Sequence, residues 1–166
     1  FKGGYPADVL EHLGADAPKI EPGDAGLIAV PCDFLGVNYY HPTVSSSANP
    51  SSPAWSGAAV TDMGWEVAPQ SLAALLLRLN RDYRLPPIYI TENGAAFNDI
   101  NEPNGSQNDT PRVEYLLEHQ RAAREAIEAG VNLRGYFVWS LLDNFEWADG
   151  YAKRFGIVHV DFATQR

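Results

Sequence analysis

The run Ile88-Tyr89-Ile90-Thr91-Glu92-Asn93-Gly94 passes from apolar to polar residues within a few positions. Two other runs share this pattern, residues 34–37 before Asn38-Tyr39-Tyr40 and residues 135–139 before Ser140. All three are almost continuously apolar, which is typical of parallel strands covered on both faces. The runs are separated by about fifty residues, enough for a loop and a crossover helix. The pattern predicts an α/β fold with a parallel sheet.

Two amphipathic helices are predicted between these strands. Leu72, Leu75, Leu76, Leu79 and Tyr83 recur at helical spacing after Pro69, a proline suited to a first helical turn. The second helix is predicted to begin with Thr110 as N-cap and Pro111 at the first helical position, and to end at Gly130. It runs through Leu116, Leu117, Ala123 and Ile127, with the pairs Arg121–Glu125 and Arg124–Glu128 on its solvated face.

The chain is too short for a closed barrel. Residues 7–13 can form a preceding helix, and with the three strands this makes about three to four βα units. An eight-stranded barrel takes roughly 250 residues. We therefore expect residues 1–166 to be one part of a single barrel domain, and a start at Phe1 suggests processing, truncation or incomplete coverage.

Charge and composition exclude several classes of partner. The net charge of −9 argues against nucleic acid and against anionic membranes, and no apolar run approaches the roughly 20 residues of a bilayer span. The single cysteine, Cys32, excludes an internal disulfide and a Cys-based zinc site, and we expect it to be a small buried group. Cytoplasmic residence is the simplest interpretation, although secretion stays open. The four histidines have no metal-ligand spacing, and we interpret His119 as a surface residue.

The polar groups at the strand ends have the chemistry of a sugar site. Carboxylates attack or protonate an anomeric centre, amides bind hydroxyl groups, and aromatic rings stack on a pyranose. Of the two adjacent tyrosines, we expect Tyr39 to be packed in the core.

Three segments together resemble glycoside hydrolase family 1, the retaining β-glucosidases and their relatives on a (β/α)₈ barrel. They are residues 33–40, the run Ile90-Thr91-Glu92-Asn93-Gly94, and residues 136–156 with Trp-Ser-Leu-Leu-Asp-Asn-Phe-Glu-Trp. The resemblance covers the whole chain and implies the C-terminal portion of that barrel. It implies that Glu92 is the nucleophile and that Tyr40 bonds and orients it. The substrate-binding positions that it implies are Asn38, Trp65, Trp139, Glu146, Trp147 and Phe155.

The same resemblance limits the substrate. A carboxylate at Glu146 would repel a phosphate dianion, so unphosphorylated β-glucosides, with galactosides or fucosides as possible additions, are expected despite the nearby Lys153. A transglycosidase, a thioglucosidase and a catalytically inactive glycan-binding homologue stay open as alternatives. The family needs no cofactor and no metal is indicated. A homo-oligomer is left open.

The second carboxyl of a retaining glycosidase is missing from this chain. The family places it in an Asn-Glu-Pro motif that precedes the segments found here, so it would be supplied by an N-terminal half of the barrel. The chain does contain Asn101-Glu102-Pro103, but this run follows Glu92 and has no strand before it. We interpret Glu102 as a turn residue. Asp143 and Asn144 are expected to brace the loop after the third strand, and Trp55 to lie in a surface loop over residues 45–57.

Overall fold

The structure is a computed structural model that describes residues 4–43, 59–98, 100–101 and 107–166. The predicted surface loop with Trp55 and the turn residue Glu102 lie outside the described residues.

The described residues form short N-terminal helices followed by alternating strands and longer helices. The α-helices are α1 (Ala7–Leu13), α2 (Asp24–Ile28), α3 (Pro69–Asp82) and α4 (Thr110–Glu128), and 3₁₀ turns occupy Gly14–Asp16 and Trp147–Asp149. The strands are β1 (Leu35–Asn38), β2 (Ile88–Asn93), β3 (Ile100–Asn101), β4 (Gln107–Asn108) and β5 (Leu133–Val138).

The predicted parallel sheet is confirmed. Its order is β1-β2-β5, with both pairs parallel, and α3 and α4 are the crossover helices. Strands β3 and β4 form a separate antiparallel pair within the β2–α4 connection. Strands β1 and β5 are the outer strands of the sheet, so the described residues form no closed barrel.

The sheet is covered on one face only. Val37, Ile88 and Ile90 pack with Leu72 and Leu76 of α3 in the core, to which α4 contributes Ala123 and Ala126. The apolar runs predict that the opposite face is covered as well. In this chain it is open, because no described element lies over it, and Phe34 and Phe137 are more than half exposed.

The predicted helices agree well with the structure, with local differences in α4. Pro69 is the first residue of α3, and its buried face carries Leu72, Ala73 and Leu76. In α4, Thr110 is the first helical residue and Asp109 takes the N-cap position, one residue earlier than predicted.

Of the two ion pairs predicted on the solvated face of α4, one is present and the other is not. The pair Arg124–Glu128 is present at 2.8 Å. Arg121, however, bonds Glu118, not Glu125. Both spacings bring side chains together on a helix, so the sequence alone could not distinguish Glu118 from Glu125 as the partner.

The prediction that His119 is a surface residue is wrong. His119 has no exposed surface, and its ring stacks on Tyr115 with 3.9 Å between ring centroids. Its Nδ1 lies 2.7 Å from the Tyr115 carbonyl, so Nδ1 carries the proton and donates it. The buried positions of α4 include Tyr115, His119, Ala122 and Ala126, whereas Leu117 is exposed. The small alanines let this stripe approach the sheet and α3, which turns the leucine outward.

Burial of His119 should make stability depend on pH. Burial lowers the pKa of His119 below its ordinary value of 6.5, against the opposing effect of the Tyr115 carbonyl. The unfolded chain therefore binds the proton first as the pH falls. The part of the unfolding free energy that depends on neutral His119 is fully present above about pH 6.5. It declines as the pH falls below that value, until the folded-state pKa is reached. We expect His119→Gln, which keeps an N–H donor, to reduce the difference in unfolding free energy between about pH 7.5 and 5.5 by about 1 kcal/mol.

Urea denaturation at both pH values measures this difference, and His12→Gln on the exposed helix α1 is the matched control. Equal pH dependence in wild type and His119→Gln would contradict the prediction.

The expectation that Cys32 is buried is also wrong. Cys32 is exposed. It lies just before β1, next to the exposed Val30, where no described element packs over the chain. No helix in the described part of the chain is long and apolar enough to cross a membrane.

Candidate active site

A break in strand register turns Glu92 toward Tyr40. Val37 pairs with Ile90, but the next residue of β1, Asn38, pairs with Glu92, so β2 carries one extra residue at Thr91. Thr91 Oγ1 donates to Asn38 Oδ1 at 2.6 Å, and the next residue, Glu92, contacts Tyr40. Two consecutive residues of β2 thus contact side chains two positions apart, Asn38 at the end of β1 and Tyr40 just after it. Such a bulge re-aims a side chain, and here that side chain is a carboxylate.

Tyr40 and Glu92 form a hydrogen-bonded pair at this strand edge. The Tyr40 hydroxyl donates to Glu92 Oε2 at 2.7 Å. Burial raises the pKa of Tyr40 well above its ordinary value, and the hydrogen bond to Glu92 and the charges of Glu92 and Glu146 raise it further. The phenol therefore keeps its proton as a donor, and Glu146 lies near enough for its charge to act on Tyr40.

Two aromatic rings pack against the ring of Tyr40. The Tyr40 ring is 5.5 Å from Trp65 and 6.0 Å from Phe155, edge-on to both. Trp65 also stacks on His41 at 4.9 Å, a contact that the sequence did not predict. Phe155 is buried and Trp65 is half-buried. The structure thus brings together Tyr40, Glu92, Trp65 and Phe155 from four separate segments.

Trp139 follows β5 directly beside the end of β2. Its backbone N–H donates to the Asn93 carbonyl at 2.9 Å, and the Trp139–Ser140 peptide is cis. The Trp139 carbonyl lies where a Cβ on Gly94 would stand, at 1.8 Å. Only glycine permits this approach, which explains the glycine after Thr-Glu-Asn.

The expected bracing role of Asp143 and Asn144 is confirmed. Asp143 is buried, and its carboxylate accepts from the Gly156 N–H at 2.9 Å and the Val160 N–H at 3.2 Å, and pairs with Arg154 at 2.6 Å. Asn144 Nδ2 donates to Ser140 Oγ at 2.9 Å. These bonds fix the path of the segment that carries Glu146 and Phe155.

Glu146 and Trp147 lie in a tight turn of that segment. The Glu146 N–H donates to the Gly150 carbonyl at 2.7 Å, and Trp147 adopts a positive φ of 37°. The Trp147 side chain is 82% exposed, so no described residue covers its ring. The turn therefore presents an indole outward from the loop.

Sequence reasoning missed two cationic links between the site's loops. Lys153 Nζ donates to the Asp62 carbonyl at 2.6 Å and pairs with its carboxylate at 3.2 Å, which joins the Trp65 segment to the Glu146 segment. The buried Arg112 of α4 donates to the carbonyls of Ala95 and Arg154, at 3.3 and 2.9 Å. These pairs are too far apart in sequence for local spacing to indicate them. Among the described residues, no three His, Cys, Asp or Glu side chains are grouped to hold a metal ion.

The whole chain is similar to proteins of one known family. The sequence model of glycosyl hydrolase family 1 matches residues 1–166. A β-glucosidase of Agrobacterium sp. is 47% identical over 99% of this chain, and β-glucosidase A of Thermotoga maritima is 44% identical over all of it. The chain spans only 38% of the length of each of these relatives.

Solved structures agree with these sequence relatives. The T. maritima β-glucosidase in complex with castanospermine superposes with a TM-score of 0.91 at 44% identity, over 99% of this chain and 38% of that one. A β-glucosidase from Exiguobacterium marinum gives 0.89 at 42% identity, over 100% and 39%. The three-stranded sheet is thus a portion of the barrel of these enzymes. The chain belongs to glycosyl hydrolase family 1.

Proposed function

We propose that this chain is the nucleophile-bearing part of a retaining β-glucosidase that acts on terminal, unphosphorylated β-D-glucosyl residues, with galactosides and fucosides as further substrates. The hydrogen bond between Tyr40 and Glu92 supports this most directly. It holds the carboxylate in one orientation, and among the described residues no donor contacts the other Glu92 oxygen, which can therefore attack. The position at the carboxyl end of a parallel strand is where barrel enzymes carry their catalytic groups.

The chemistry requires two carboxyl groups. In the first step a Glu92 oxygen attacks the anomeric carbon from the α face, the bond to the aglycone breaks, and the departing oxygen takes a proton from a general acid. In the second step water, deprotonated by that same residue, attacks the anomeric carbon and releases Glu92 as a carboxylate. Two inversions give net retention.

We propose that the general acid comes from the rest of the barrel. The chain spans 38% of the β-glucosidases that it matches, and an acid/base partner must stand about 5–5.5 Å from the nucleophile. Glu102, which lies outside the described residues, is instead proposed as a turn residue.

The substrate preference rests on two charges. The Glu146 carboxylate favours hydroxyl groups over a phosphate, which it would repel. The nearby Lys153 has its ammonium group bonded to the Asp62 carboxylate and carbonyl, so its charge is already paired. We propose that Trp139, Glu146 and Trp147 bind the glycone together with Asn38. Trp65 is proposed to lie on the aglycone side, and Phe155 to shape the wall of the pocket.

Covalent trapping tests this proposal. The protein used is the completed barrel, defined as this chain joined to the portion of a family relative that it does not match, such as that of the Agrobacterium sp. enzyme. The reagent is a 2-deoxy-2-fluoro-β-glucoside with a dinitrophenolate leaving group. This group departs without a proton, so the trapping does not depend on the general acid. We expect the reagent to add one fluoroglucosyl group, found on Glu92 by peptide mass spectrometry.

Saturable binding of the reagent with no mass added would favour an inactive glycan-binding homologue. Mass added at another carboxylate would overturn the assignment of Glu92. A thioglucosidase or a transglycosidase would also be trapped, and product analysis with thioglucosides and with acceptor alcohols separates those activities.

A further inference from the structure

Three hydrogen bonds and the Glu92–Asn93 peptide form a closed ring on the buried side of the sheet. The ring begins at the Glu92 carboxylate and returns to Asn93, the next residue. The Glu92 carboxylate accepts from the Tyr40 hydroxyl at 2.7 Å. The carbonyl of the same Tyr40 accepts from the Tyr115 hydroxyl at 2.9 Å. The Tyr115 oxygen accepts from Asn93 Nδ2 at 3.2 Å, and Asn93 is the next residue after Glu92. The ring therefore joins side chain, backbone and helix α4 in one circuit.

The amide of Asn93 has a partner for each of its hydrogens. Nδ2 donates one hydrogen to Tyr115 and the other to the Tyr39 carbonyl at 2.8 Å. Oδ1 accepts from the Tyr136 hydroxyl of β5. Asn93 has no exposed surface and Tyr115 is 2% exposed. Water therefore cannot replace these bonds without a change in packing.

The bonds hold the chain at the point where its register changes. The carbonyls of Tyr39 and Tyr40 are both bound from the core side, while the Tyr39 N–H donates to the Glu92 carbonyl at 2.9 Å. These are the residues that directly follow the shift between Val37 and Asn38. One backbone bond therefore joins the strands after the shift, and the side-chain bonds of Asn93 and Tyr115 supplement it from the core side.

We propose that Tyr115 and Asn93 are positioning residues that set the placement of the Tyr40 hydroxyl on the Glu92 carboxylate. They act through the Tyr40 backbone and touch no substrate. The inference rests on the proposed role of Glu92 as nucleophile, but its geometrical part, the control of the Tyr40–Glu92 distance, does not depend on catalysis.

Two tyrosines of this chain provide a matched pair of variants. Tyr115 and Tyr39 are both buried, and each donates its hydroxyl hydrogen to a backbone carbonyl, that of Tyr40 and that of Ala68 respectively. Tyr115→Phe breaks the ring of contacts. Tyr39→Phe removes the same kind of bond, at 2.7 Å, but its hydroxyl takes no part in the ring.

The test measures trapping kinetics and crystal structures of the completed barrel. We expect Tyr115→Phe to lower the first-order rate constant of inactivation by the fluoroglucoside about tenfold, the loss of roughly one hydrogen bond, with an unchanged inactivator binding constant. We expect Tyr39→Phe to leave both constants within about twofold of wild type, despite a similar loss of thermal stability. In the crystal structure of Tyr115→Phe, the Tyr40–Glu92 distance should lengthen from 2.7 Å beyond about 3.2 Å.

Each outcome bears on one of the two claims. A Tyr40–Glu92 distance unchanged in Tyr115→Phe would overturn the inference, whether or not the wild type is trapped. Equal slowing by Tyr115→Phe and Tyr39→Phe would also overturn it, because the effect would then follow stability alone. Absence of trapping in the wild type would instead contradict the proposed function. If Tyr115→Phe does not fold, Asn93→Ser, which leaves room for a water in place of the amide, should show the same lengthened distance.

Discussion

Replacing Glu92 by glycine in the completed barrel should lower the rate of aryl glucoside hydrolysis by a factor on the order of 10⁵. The variant loses the only group proposed to form the covalent intermediate, while the Tyr40 hydroxyl and the aromatic wall stay in place. Steady-state hydrolysis of a dinitrophenyl β-glucoside measures the loss. Glu114→Gly, an exposed glutamate of α4, is the control and should retain wild-type activity.

A small anion distinguishes a nucleophile from a general acid at this position. The glycine leaves a space of carboxylate size below the α face of the sugar, in which azide can attack the anomeric carbon. We expect azide to restore turnover of the activated substrate and to yield the α-glucosyl azide, identified by nuclear magnetic resonance. A β-glucosyl azide would show that Glu92 serves as the acid/base residue, and near-normal activity without azide would contradict any catalytic role.

The isolated 166-residue chain should hydrolyse an unactivated alkyl β-glucoside no faster than buffer, whereas the completed barrel should exceed it by at least about 10⁴-fold. An alkoxide leaving group needs a proton, and the described residues show no second carboxylate in contact with Glu92. Assays of both proteins at equal concentration, with intact masses determined beforehand, measure the difference. Full activity of a species of 18.2 kDa would refute the proposal that the acid lies outside this chain.

Glu102 provides the control for that experiment. It belongs to the Asn-Glu-Pro run after β2, and its position lies outside the described residues. Glu102→Gln in the completed barrel should leave alkyl glucoside hydrolysis unchanged, because a turn residue holds no catalytic proton. Loss of turnover that is restored by an activated leaving group would instead identify Glu102 as the general acid.

Much of the architecture could be predicted because its signals are local. The apolar runs, the leucine stripe of α3 and the prolines at both long helices each depend on neighbours within a few positions, and all three parallel strands appear where expected. The errors arise where the packing partner decides. By its sequence His119 is one polar residue on a charged helix, but stacking on Tyr115 and the hydrogen bond to the carbonyl of that residue make its burial possible. For Cys32 the error is the reverse: a buried residue is expected and an exposed one is found, since no described element covers the segment before β1.

The same division applies to the candidate site. The sequence by itself determined which side chains stand at the ends of the parallel strands. Each strand ends where apolar residues give way to polar ones, and these three points lie just before Tyr40, near Glu92 and at Trp139. Only the tertiary structure decided how these side chains meet. Tyr40 and Glu92 are 52 positions apart, and their bond depends on an extra residue in β2 and on the buried ring through Tyr115. The hydrophobic pattern specifies which face of each strand is buried, but the one-residue shift between β1 and β2 depends on which residues pair and pack across the sheet.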